Sequence, residues 1–149
     1  MVNHISESLA AHRDELISFR RDLHAHPELS GQERRTTRRV AERLVEAGLS
    51  PTVLAGGVGL VCDVGGGDGP IIGLRGDLDA LALDDIKDVP YRSTNDGVCH
   101  ACGHDVHTTM VLGAGLALHE MADPVPGRVR LIFQPSEEMN PGGALDVIR

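Results

Sequence analysis

The chain has 149 residues, 41% of them hydrophobic and 24% charged, which is enough for one domain with a buried core. One Tyr, two Phe and no Trp leave that core to Leu, Val, Ile and Ala, and leave little surface on which bases could stack. A formal charge of −8 repels a phosphate backbone and argues against nucleic acid as a partner.

No apolar run approaches the roughly 20 residues that span a bilayer, and the opening MVNHISESLA has no charged segment followed by an apolar one. Three cysteines without a secretory signal fit a reducing compartment better than a disulfide framework. The expectation is a cytoplasmic protein with no membrane partner.

Apolar positions at Ile5, Leu9, Leu16, Phe19 and Leu23 predict one amphipathic helix over 5–25. His26-Pro27 ends it, because the residue before proline disfavours the α region. Ser30 and Glu33 have the spacing of a capping box for a second helix through Val40, Leu44 and Val45, with Gly48 as its stop. Short apolar runs at 52–54, 59–64 and 71–75, punctuated by glycine, then predict strands. The Gly-rich segment 65–70 predicts a hairpin connection between the last two. Residues 76–103 lack periodicity, and so long an irregular stretch is more often functional than idle. A small-residue helix over about 105–122, a strand at 129–133 and the start of a helix from Gly143 complete the order. This succession predicts an α/β fold, a mixed β-sheet flanked by helices. The chain stops inside an amphipathic segment, so 1–149 is expected to be the N-terminal portion of a catalytic domain.

Chemistry concentrates in three places. In Cys99-His-Ala-Cys102-Gly-His104-Asp-Val-His107, six of nine residues are potential metal ligands. The same residues admit histidines that merely solvate a helix start, a C-x-x-C redox pair of Cys99 and Cys102, or a structural zinc site. The last is weakened because no second Cys/His pair follows. The pair Glu137-Glu138 would be ordinary solvated surface, except that it follows a strand, where sites gather in open α/β sheets. Adjacent glutamates project differently, so one can ligate metal while the other reaches a water. Asp77 and Asp79 follow another strand; there an Asx turn competes with a carboxylate that orients a ligating histidine. His24 and His26 sit at a helix end, where binding the last carbonyls is the expected role.

Taken together, Asp22-Leu-His-Ala-His-Pro-Glu-Leu-Ser30, Asp77-Leu-Asp-Ala-Leu81, Asn95-Asp-Gly-Val-Cys-His-Ala-Cys-Gly-His-Asp105, Phe133-Gln-Pro-Ser-Glu-Glu138 and Gly142-Gly-Ala144 resemble the M20 peptidase family. More narrowly they resemble its aminoacylase-like branch, which holds N-acyl-amino-acid amidohydrolases, hippurate hydrolases and auxin-conjugate hydrolases. The motifs keep the family's order and cover the chain from about residue 15 onward. The resemblance implies a metallopeptidase-type catalytic domain with two divalent metal ions (Zn, Mn, Co or Ni). It makes Cys102, His104 and Glu138 metal ligands, Glu137 the catalytic general base and Asp79 the supporting acid; His107 receives no metal. The implied substrate is a small N-acyl amino acid, and a full-length form is compatible with a homodimer. Ala82 departs from the branch's frequent proline and Cys99 from its frequent methionine. Family members are typically more than twice as long, with two further histidine ligands and a lid or dimerisation domain beyond the matched part. The rival expectation is a catalytically silent metal-binding fragment or a partner-dependent module.

Overall fold

The computed structural model describes residues 2–121 and 125–148. The expected first helix is two, α1 (Val2–Ala11) and α2 (Arg13–Ala25), interrupted at His12, whose ring bridges Glu15 at 3.0 Å and Glu120 at 2.7 Å. Helix α2 ends at Ala25 with His26 as its cap, immediately before Pro27. Helix α3 (Arg34–Glu46) closes as expected. Gly48 has φ +85°, its N–H donates to Val45 O, and the Leu49 N–H donates to Leu44 O. This is the pattern in which a left-handed residue satisfies the last carbonyls.

The capping box at Ser30 and Glu33 does not form. Neither side chain caps α3; the Arg35 and Thr36 amides donate instead to the two carboxylate oxygens of Glu28, at 2.9 and 2.7 Å. A full negative charge on two free amides at the positive end of a helix outcompetes a neutral hydroxyl. Ser30 and Glu33 are thereby released to face the site described below.

Strands β1 (Thr52–Val53), β2 (Leu60–Gly65), β3 (Ile71–Asp77) and β4 (Arg128–Gln134) form a mixed sheet in the order β1-β2-β4-β3. Pairing is antiparallel for β1 with β2 and β2 with β4, and parallel for β3 with β4. The expected β2–β3 hairpin is therefore corrected, because β4 lies between those strands. The Gly-rich segment passes the start of β4 instead, with the Gly67 N–H donating to Gly127 O and the Arg128 N–H to Pro70 O. A Cβ on Gly69 would stand 2.7 Å from Pro126 O, so only glycine allows this crossing. A parallel pair needs a long crossover, and the irregular segment after β3 together with α4 (His104–His119) supplies it. A single turn, α5 (Ala144–Val147), follows β4.

Alternation along β2 and β4 turns Leu60, Cys62, Val64, Val129, Leu131 and Phe133 inward, where they meet Leu23, Val40, Leu44, Leu112 and Leu116 from the helices. Gly115 of α4 rests directly on the Leu131 side chain. Leu131, fully buried at the centre, is expected to cost about 2–5 kcal/mol when changed to alanine, read as a lower urea midpoint. Gly76 has a second structural task. A Cβ there would lie 3.0 Å from His107 O, so its absence lets the first turn of α4 sit on the end of β3. Among the described residues, no helix is long and apolar enough to cross a membrane.

Candidate metal centre

Because β3 and β4 are parallel, their carboxyl ends share one edge of the sheet, and the N-terminus of α4 meets them there. Asp77 closes β3, Gln134 closes β4 opposite it, and the Thr108 hydroxyl of α4 donates to Asp77 O at 2.7 Å. Three stretches distant in sequence are thus forced together: 77–79, 102–107 and 136–138.

Asp79 joins them. Its side chain is fully buried. One oxygen lies 3.2 Å from His104 Nδ1; the other accepts the Glu138 N–H at 2.9 Å and the Ser30 hydroxyl at 2.7 Å. Burial opposes ionisation of this carboxyl, but the bonds from His104, the Glu138 amide and Ser30 outweigh it and hold the pKa well below the usual range. His104 Nδ1 also reaches the Asp79 carbonyl at 2.8 Å. With Nδ1 committed to two acceptors it carries the proton of the neutral ring, and the Nε2 lone pair is free to ligate.

Nε2 faces acidic neighbours. It lies 3.7 Å from a Glu138 carboxylate oxygen, 3.8 Å from Glu137 and 3.7 Å from Asp77. Ligand atoms of Cys102, His104 and Glu138 all fall within 4.8 Å of one another, and so do those of Asp77, His104 and His107. A thiol, an imidazole and a carboxylate converging in this way suit a borderline divalent metal. The protons are held tightly meanwhile. The Glu138 bond raises the Cys102 thiol, and Asp79 with Asp77 raises His104 against the opposing effect of burial.

The two aspartates take different partners. Asp79 orients His104, whereas Asp77 lies 2.7 Å from His107 Nδ1 and 3.0 Å from Arg75. His26 Nδ1 bonds Asp22 O in the last turn of α2, the role expected of it. His24 is corrected: it binds no helix carbonyl, but lies buried with Nδ1 2.7 Å from Asp105 and Nε2 3.2 Å from Asp85. Arg20 also reaches Asp105, at 2.9 Å. His24 falls one turn beyond Arg20 and beside Leu23 on the inward stripe, and that spacing was the available signal. Near it, burial pushes His100 down to about 4. Cys99 is buried and burial raises its thiol, while Cys102 is exposed and both are unpaired, which argues against a redox couple.

Residues 73–149 match Peptidase family M20/M25/M40. The chain is 53% identical over 143 residues to a candidate glutamate–cysteine ligase (2-3) of Rhodococcus jostii RHA1, covering 96% of this chain and 18% of that one. It is 44% identical over 138 residues to the N-acetyl-L-cysteine deacetylase of Bacillus subtilis 168, covering 91% and 33%. Among solved structures, it superposes with a TM-score of 0.87 and 40% identity on the Bacillus subtilis YXEP protein, described as a dinuclear metal binding peptidase from the M20 family. That match covers 93% of this chain and 39% of the other. The chain belongs to the M20 peptidase family. It spans about a third or less of the length of these two curated relatives, so the ligase match concerns a shared segment.

Proposed function

We propose that this chain contributes the first ligands and the general base of a two-metal amidohydrolase acting on N-acyl amino acids or related small amides. The carrying observation is Asp79, whose carboxylate fixes both the His104 ring and the Glu138 backbone and so aims their ligating atoms at one point. Cys102, His104 and Glu138 are the ligands in this reading. The similarity to an N-acetyl-L-cysteine deacetylase and to a dinuclear peptidase supports the substrate class and the metal count.

Divalent metal ions held there would polarise the amide carbonyl and acidify a water. Glu137, exposed and 3.8 Å from His104 Nε2, takes the proton of the attacking water and passes it to the leaving amine. Asp79 keeps the His104 ring in its ligating tautomer, and Asp77 lends negative charge beside it. The products are a carboxylic acid and an amino acid. Metal binding is tested on the 149-residue chain, and turnover on a protein that supplies the remaining ligands.

Cobalt titration of the chain tests the ligand assignment. A thiolate-to-cobalt absorption band is expected, and Cys102→Ser should abolish it; a band that survives the substitution removes Cys102 from the site. Both Cys102 and His104 hold protons more tightly than the free side chains. Metal must displace those protons, so apparent affinity is expected to fall steeply from about pH 8 to about pH 6, measured by the same titration.

A further inference from the structure

Resting on that reading, we infer that Glu33, at the start of α3, is a positioning residue for the loop that carries Glu137 and Glu138. It touches no ligating atom and acts on the backbone of Ser136. Its side chain is wholly buried, and one carboxylate oxygen accepts the Ser136 N–H at 2.7 Å and faces the Ser136 hydroxyl at 3.4 Å. A wholly buried acidic side chain needs polar partners, and Ser136 supplies them through its amide and hydroxyl.

What it holds is unusual. Ser136 has φ +52°, the only positive φ outside glycine among the described residues. An L residue disfavours this left-handed conformation, which persists only where surrounding contacts enforce it. The enforcement is visible. Glu33 O accepts the Thr37 hydroxyl at 2.6 Å, the Thr37 hydroxyl accepts the Gly59 N–H at 2.8 Å, and Gly59 lies so close to Pro135 that a Cβ would come within 2.5 Å of the ring. Pro135 is thus seated on the Gly59 turn, Ser136 is held by Glu33 beneath it, and Asp79 takes the Glu138 N–H two residues on. Two buried carboxylates therefore pin the loop at both ends, and the left-handed turn between them presents consecutive glutamates toward His104. Without the Glu33 acceptor, Ser136 would relax to negative φ and turn the following carboxylates away.

The test is cobalt titration of the 149-residue chain, with circular dichroism to verify helix content. Glu33→Ala is expected to weaken apparent affinity about 10- to 100-fold, as for other residues that support metal ligands. Glu33→Gln keeps the acceptor and should bind close to wild type. Adding Ser136→Gly to Glu33→Ala should recover affinity, because glycine adopts positive φ without penalty. Equal binding by Glu33→Ala and wild type overturns the inference, as does a Gln variant as weak as Ala or a double variant no better than the single one. Should Glu33→Ala not fold, amide exchange in the wild-type chain decides: Ser136 N–H must be protected, and free exchange there overturns the assignment. A wild-type chain that binds no cobalt defeats the metal-centre reading, and the Ser136 amide then still tests Glu33 separately.

Discussion

Asp79→Ala is expected to lower the stability of the chain by on the order of 3 kcal/mol and to abolish tight metal binding in the same step. The substitution leaves the Ser30 hydroxyl and the Glu138 amide without their acceptor and removes the charge beside His104. The His104 ring keeps only the backbone carbonyl of residue 79, which does not fix its plane as strongly. The effect depends on pH with a definite sign. Because the native pKa lies below the ordinary aspartate value of 3.8, Asp79 contributes its stability fully above that value. The contribution fades as pH falls from about 4 toward the lower native pKa. Urea melts of wild type and Asp79→Ala should therefore differ most near neutrality and converge in acid. A constant gap down to about pH 2 would mean that the carboxylate charge is not what matters.

On the proposed amidohydrolase reading, Glu137→Gln should reduce turnover of an N-acyl amino acid by about 10²- to 10⁴-fold in a protein that supplies the remaining ligands, while leaving metal affinity nearly unchanged. Glu138→Gln should do the reverse first, lowering metal affinity and losing activity as a consequence. Distance to His104 does not separate the two, at 3.8 and 3.7 Å. The division rests on Glu138 being fixed through its own backbone by Asp79 and standing with Cys102 and His104 in one cluster of ligand atoms, whereas Glu137 is the more exposed of the pair. A solvent-reached carboxylate suits proton transfer, and an anchored one suits ligation. Metal content and kcat measured together on both variants assign the roles; a Glu137→Gln protein that loses its metal would reverse them.

Many of these features are legible in the order of residues. The helix end at His26-Pro27, the Gly48 stop, the strands and the small-residue helix all follow from local backbone preference, which acts within a few residues. The ligand-rich segment 99–107 and the Glu137-Glu138 pair declare themselves by residue chemistry. The hairpin and the capping box fail for one reason. Local signals record which conformations a segment tolerates, not which neighbour it meets, and here β4 and Glu28 occupy those positions. His24 escapes local reading on the same ground, since its partners Asp85 and Asp105 lie 61 and 81 residues away.

By itself, then, the sequence determined the family, the α/β class and the chemical character of Cys102, His104 and Glu137-Glu138. Only the tertiary structure decided how they are held: that Asp79 lies against His104 Nδ1 and the Glu138 amide at once, and that Ser30 and Glu33 bond Asp79 and Ser136 instead of a helix end. The physical reason is that ligand chemistry resides in side chains, which a sequence displays. Orientation resides in buried hydrogen bonds between segments that meet only when the parallel strands close the crossover.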